Sequence, residues 1–250
     1  MKAQPNRAAD ETVAALYSAR IPRFDWTKVS LDLDVYGAAV LPGLRSAADI
    51  QTATALSNGP AASRTPALDE QRAWGDGDYR YFRYPMPELV SGLRTTLYPC
   101  LAPIANVWNE RMDISERYPT THLEYLEICR RAGQTVPTSM LLDHGVGQRS
   151  LLHQDLYGAY SFPLQVAILL STPGSDFLGG EFVITEQRPR MQTRPEVVTL
   201  DRGDAVVFAV ANRPVTGTRG TYRVNLRHGF SKVRKGQQRA LSIVFHDAAA

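Results

Sequence analysis

The sequence predicts an α+β protein: a double-stranded β-helix, or jelly roll, with N-terminal helices packed outside it. Three observations carry that expectation. Before residue 137 the apolar residues recur mainly at helical spacing. After Pro137 they fall into eight short segments rich in Val, Ile, Leu and Phe, punctuated by Gly, Pro, Asp and Asn, which is the texture of a sandwich or barrel. Within those segments a His-x-Asp pair, His153 and Asp155, is answered by a distant His228. We divide the chain accordingly into a mainly helical part, 1–136, and a jelly-roll core, 137–250, forming one structural unit.

Taken in order, Asp10 to Ala19 reads as a short helix capped by Asp10 and stopped by Pro22. Trp26 to Asp34 reads as a second. Gly37 to Gly43 is a short apolar strand closed by Pro42 and Gly43. Ser46 N-caps a helix to Leu56, and Asn58 to Asp69 is a loop. Tyr79 to Pro85 interleaves four aromatics with Arg80 and Arg83, in an extended segment. Pro87 to Met112 carries a helical pattern interrupted near Pro99 and Pro103. Thr120 to Ala132 is a further helix ending at Gly133. The eight β segments are Met140 to Leu142, Leu151 to Asp155, Leu164 to Leu170, Glu181 to Thr185, Val197 to Leu200, Ala205 to Val210, Tyr222 to His228 and Ala240 to Phe245.

Composition narrows the class. There is no run of about twenty apolar residues, so no membrane span is expected. The first residues lead into no apolar signal region, and Cys100 and Cys129 form no CxxC pair. Both features point to a cytoplasmic protein with buried thiols rather than a disulfide scaffold. The net charge is only +3, but residues 187–239 hold twelve Lys/Arg against three acids, a local +9 that leaves −6 for the rest. Such a stretch is a solvated face or a surface that attracts a polyanion. Aromatic and Arg residues at Tyr79, Arg80, Tyr81 and Arg83 suit stacking on bases and pairing with phosphates. The competing reading is one extended segment packed on the domain.

Two imidazoles and one carboxylate are the donor set of a mononuclear non-haem iron centre. On a strand, His153 and Asp155 share a face with Leu151. His228 shares one with Tyr222, Val224 and Leu226, while Arg223, Asn225 and Arg227 point out. Arg239 opens the last strand on the phase of Leu241, Ile243 and Phe245. A buried guanidinium needs an anion, which a carboxylate co-substrate would supply. Ser242 falls on the opposite phase from Arg239. Asp204 in its turn, and His246 and Asp247 at the strand end, read as structural.

These residues resemble the Fe(II)/2-oxoglutarate-dependent dioxygenases. The resemblance rests on His153-Gln154-Asp155, Phe177 to Phe182, Arg202 to Phe208 and His228 to Val233, with Arg239 beyond. Within that superfamily the chain most resembles a bacterial group of oxygenases described as acting on alkylation-damaged nucleic acid. Met140 to Gly147 parallels the strand before the His-x-Asp pair in nucleic-acid demethylases, with His144 where those enzymes carry a Tyr. Gly179-Gly180-Glu181 is more like the prolyl hydroxylases.

The resemblance implies Fe(II) on His153, Asp155 and His228, with 2-oxoglutarate and O2 as co-substrates and ascorbate as a stimulant. It implies Arg239, His144 and Gln165 as co-substrate contacts, with Ser242 a weaker one. The expected reaction is hydroxylation of a C–H bond, with oxidative demethylation of alkylated nucleic acid as the leading case. A protein side chain or small metabolite is the alternative substrate, and a cupin-like metal-binding protein the alternative class. No obligate protein partner is expected.

Overall fold

The computed structural model describes residues 21–56, 62–63, 75–188, 190–218 and 220–249. The expected helix at Asp10 to Ala19 lies outside them, as does most of the expected loop at 58–69.

After a 3-10 turn at Ile21–Arg23, helix α1 (Trp26–Tyr36) starts where Asp25 accepts hydrogen bonds from the amides of Thr27 and Lys28. It stops at Gly37, whose φ of 75° is open to glycine at little cost. A capping box of Ser46 and Asp49 starts α2 (Ala47–Ala55).

Helix α3 (Glu88–Arg111) runs unbroken through Pro99 and Pro103, against expectation. Each proline costs about 3 kcal/mol in a helix interior. Both lie on the exposed side, where a helix can curve toward solvent, while Leu89, Val90, Leu93, Leu97, Leu101, Ile104, Ala105 and Trp108 are buried. At about 1.5–3 kcal/mol for each large side chain, that burial outweighs the two prolines. Thr121 and Glu124 cap α4 (His122–Arg131).

Two antiparallel sheets make the jelly roll. The major sheet holds β1 (Ala38–Leu41), β2 (Ala62–Ser63), β3 (Asp78–Phe82), β5 (Met140–His144), β6 (Leu164–Leu169), β10 (Ala205–Ala209) and β14 (Gln238–Ile243), in the order β1-β10-β6-β14-β5-β3-β2. The minor sheet holds β8 (Phe182–Gln187), β9 (Arg194–Val198), β11 (Asn212–Gly217) and β12 (Gly220–Phe230), in the order β11-β12-β8-β9. The pairs β7 (Phe177–Gly179) with β13 (Val233–Gly236), and β4 (Gln134–Val136) with β15 (Ala248–Ala249), complete it. Strands β1, β2 and β3 precede residue 137, so the sheet draws on both sides of that boundary.

Three departures from the expected strands have physical reasons. Leu151 to Asp155 forms no strand: His153 makes a single bridge to His228, and Leu151 and Leu152 are exposed. The sequence hid β11 behind Pro214, which is tolerated because β11 is an edge strand. Its partner β12 runs longer than Tyr222 to His228, yet it keeps the expected phase, burying Val224, Leu226 and His228 and exposing Arg223, Asn225 and Arg227.

The helical layer is tied to the sheets by buried polar pairs. Arg94 of α3 donates to Asp247 at 2.8 Å, and the Tyr84 hydroxyl donates to the same carboxylate at 2.8 Å. Arg213 pairs with Glu186 and reaches the last carbonyls of α1. His246, expected on the outward phase, is buried like Asp247, and its Nδ1 accepts from the Phe162 amide. The Asp204 carboxylate closes its turn on the amides of Gly43 and Asp201. Cys129 is buried, Cys100 is partly exposed, and both are free thiols.

Buried histidines set an acid limit on stability. Burial pushes His246 down to about 4, and burial with the nearby Arg94 pushes His122 well below its ordinary value. The folded chain keeps both neutral where the unfolded chain protonates them, near pH 6.5. Stability is therefore full above that value and falls as pH drops from about 6.5 toward about 4, by up to about 1.4 kcal/mol per pH unit for each group. Urea midpoints measured between pH 7.5 and 4.5 should show this decline, and His122→Gln should make it shallower.

Candidate active site

The loop after β5 and strand β12 bring three ligand side chains together. His153 and His228 exchange both backbone hydrogen bonds, at 3.0 and 3.1 Å, which fixes the two imidazoles side by side with ring centroids 4.4 Å apart. Asp155 stands under them. Its Oδ1 lies 3.3 Å from His153 Nε2 and its Oδ2 lies 3.3 Å from His228 Nε2. One ligand atom from each residue falls within 4.8 Å of the others, the span of a single metal ion's coordination shell. His153 and Asp155 converge as expected, although Leu151 does not join their face and points to solvent.

The electrostatics favour a cation. Asp155 is fully buried, which alone raises its pKa, but His153 and His228 outweigh burial and hold the carboxyl well below its ordinary range. Burial and His153 push His228 down, toward the neutral form that a metal needs. His153 Nδ1 lies 2.6 Å from the Leu151 carbonyl, so its proton belongs there and Nε2 is left as the donor. The result is a buried anion between two imidazole lone pairs, a donor set of two nitrogens and one carboxylate that suits iron. Phe208 and Phe182 pack beside His228 and keep that side apolar. His153 keeps partial exposure at the mouth, between exposed Leu151, Leu152 and Leu156.

The other expected site residues divide between the two faces of the major sheet. Rung partners share a face. Gln238 pairs with His144, and Ser242 with Ala167 and Met140. Gln165 donates to Ser242 Oγ at 2.7 Å, so both lie on the inner face, where Ser242 had been expected to be the weaker contact. His144 is there too, in a buried cluster with the Tyr79 hydroxyl and Ser150 Oγ, all at 3.2 Å.

Arg239 keeps the expected phase with Leu241 and Ile243, but that is the outer face. Its Nε donates to Asp143 at 2.9 Å, and it lines a shallow recess with Arg80 and with Thr54 of α2. The expected anion clamp is therefore corrected: Asp143 already neutralises Arg239, and the sheet separates it from the metal ligands.

The aromatic segment is corrected as well. Tyr79, Tyr81 and Phe82 are buried in β3, and Arg80 pairs with Asp78 at 2.7 Å. Arg83 and Tyr84 are exposed and Arg80 is half-buried, but the buried rings of Tyr79, Tyr81 and Phe82 offer no stacking platform there.

Residues 77–248 match the family model of an oxygenase described as catalysing oxidative methylation of damaged DNA. The chain belongs to this oxygenase family. Two Mycobacterium tuberculosis strains carry relatives, the uncharacterized proteins Rv2227 and MT2286. Each is 42% identical over 168 residues, covering 67% of this chain and 72% of the relative.

Among solved structures, a Pseudomonas putida prolyl-4-hydroxylase aligns with a TM-score of 0.53 at 12% identity, over 90% of this chain and all of that one. A Burkholderia pseudomallei oxidoreductase of the 2OG-Fe(II) oxygenase family aligns at 0.51 with 16% identity, over 91% and 93%. A Trichoplax adhaerens prolyl hydroxylase aligns at 0.52 with 12% identity, over 98% and 94%. The fold is that of the 2-oxoglutarate and Fe(II) oxygenases. No helix among the described residues is long and apolar enough to cross a membrane.

Proposed function

We propose that this oxygenase uses Fe(II) on His153, Asp155 and His228, together with 2-oxoglutarate, to hydroxylate an alkyl C–H bond on damaged nucleic acid. The observation that carries this reading is the triad itself: two imidazoles held by one bridge over a buried carboxylate, open to solvent on one side, in a chain of this family. Iron and 2-oxoglutarate, when bound, supply the activation of dioxygen that converts C–H to C–OH. The chain's own part is to hold three ligands on one face, to keep Nε2 of His153 and of His228 turned toward Asp155, and to close one flank with Phe182 and Phe208. An N-methyl group hydroxylated in this way releases formaldehyde and leaves the free amine.

The surface supports a polyanionic substrate. Arg223 and Arg227 stand on the exposed face of β12, and Lys232, Arg234 and Lys235 are exposed just beyond it. Leu151, Leu152 and Leu156 at the mouth offer apolar contact to an unstacked base. Binding to methylated single-stranded DNA should weaken with salt, with a slope in log–log form of about 0.7 per neutralised phosphate. Arg227→Ala should lower that slope by about one contact, and a salt-independent affinity would remove the nucleic-acid part of the reading.

A second substrate class has one observation in its favour. The solved structures at these TM-scores include prolyl hydroxylases, the enzymes that Gly179-Gly180-Glu181 resembles in sequence. Succinate and formaldehyde measured together decide between the two. Formaldehyde in step with succinate on methylated DNA or RNA supports demethylation. Succinate without formaldehyde supports a stable hydroxylation.

A further inference from the structure

His153 and Asp155 converge with His228 although no strand carries them. One bridge, His153 to His228, sets where the first ligand stands. It does not set the direction in which the chain leaves His153, and Asp155 lies two residues on. The residue between them makes a second attachment. Gln154 Nε2 donates to the Leu226 carbonyl at 2.6 Å and to the Ala211 carbonyl at 3.4 Å.

This bond completes an interrupted ladder. Along one edge of β12, Leu226 donates its amide to Ala211, His228 exchanges both bonds with His153, and Phe230 accepts from the Ser150 amide. In an antiparallel pair the amide and carbonyl of such a residue face the same neighbour. The Leu226 carbonyl therefore faces the gap between Ala211 and His153. Leu226 is fully buried, so that carbonyl needs a donor. Gln154 supplies it from a side chain, standing in for a backbone amide. Both groups that meet the Gln154 amide are carbonyls, so its nitrogen must face them. Asparagine would fall one methylene short, and an ionised glutamate has nothing to donate.

The consequence reaches the metal ligands. β12 holds the loop at His228 and at Leu226, about 6.8 Å apart along the strand. One point of attachment leaves a pivot, whereas two fix a direction. That direction carries the Asp155 carboxylate to 3.3 Å from Nε2 of both imidazoles. We propose that Gln154 is a positioning residue for the metal centre: its amide, fastened to β12 at Leu226, sets Asp155 between His153 and His228. It acts through Asp155 and not as a ligand. The proposal rests on the triad being a metal site, as the oxygenase reading above requires.

The test uses the full-length protein and Mn(II), read by calorimetry and by the EPR spectrum of the bound ion rather than by turnover. Gln154→Met keeps the length of the side chain and removes the donor. It should weaken Mn(II) binding by about tenfold to a hundredfold, the range for groups that orient ligands, and should alter the EPR line shape. Without metal its Tm should fall by only about 2–4 °C, the loss of one hydrogen bond. Asn106→Ala is the comparison. Asn106 bonds both the amide and the carbonyl of Tyr118 in the helical layer. Its loss should lower Tm at least as much and leave Mn(II) affinity unchanged.

A folded Gln154→Met that binds Mn(II) within about threefold of wild type would overturn the proposal and leave the triad standing. An equal loss of affinity in Asn106→Ala would overturn it too, since the effect would then be general destabilisation. If Gln154→Met does not fold, Gln154→Asn, which keeps the amide but cannot reach Leu226, is read by the same two outcomes. Wild-type protein that binds no Mn(II) would instead bring down the triad as a metal site, and the proposal with it.

Discussion

Asp155→Ala should abolish metal binding and turnover together. In the folded chain this carboxylate is the one buried anion between His153 and His228. Removing it leaves two imidazoles and no negative charge to offset a dication's desolvation. Changes to groups that merely orient ligands cost about ten- to hundredfold in metal affinity, so loss of a ligand itself should cost more. The measurement is thermal or urea unfolding with and without metal. Wild type at a hundredfold excess of metal over Kd should gain about 2.7 kcal/mol, and Asp155→Ala nothing. His153→Ala should behave likewise, and succinate formation should vanish in both. A metal-dependent stability gain in either variant would sink the triad as the metal centre.

Asp247→Ala should have the largest effect on stability away from that centre. Asp247 is fully buried and takes hydrogen bonds from Arg94 at 2.8 Å and from Tyr84 at 2.8 Å, joining α3 to the end of the chain. Truncation strands the Arg94 guanidinium, only 2% exposed, with no counter-charge. Breaking a buried pair in this way costs about 3–5 kcal/mol. For a chain of this size that is a fall of roughly 10 °C in Tm. The double change Arg94→Met with Asp247→Leu removes both charges and should recover most of the loss. If the double variant is no more stable than Asp247→Ala, the cost lies in packing and not in the orphaned charge.

How much of this was legible in the sequence depended on where each residue's partner lies. The caps were local and readable: Ser46 starts α2 and Gly37 ends α1 through contacts within a few residues. The phase of β12 was readable because one face of the minor sheet meets solvent, so Arg223, Asn225 and Arg227 alternate visibly with Val224, Leu226 and His228. The major sheet offered no such contrast. Every residue of β6 and β10 is buried, because the second sheet covers one face and helices cover the other. Apolar alternation there cannot say which buried face holds the site. That is why alternation alone puts Arg239 with the right neighbours and on the wrong side. The burial of Tyr79 and Tyr81 agrees with the other reading of that segment, an extended piece packed on the domain, which β3 adopts beside β5.

The sequence by itself determined the chemistry on offer: two imidazoles, one carboxylate, their order, and the phase of the strand that carries His228. Only the tertiary structure decided which of two covered faces each strand turns toward the metal. That choice depends on which layer packs against which side of the sheet, a long-range matter that no alternation along a single strand encodes.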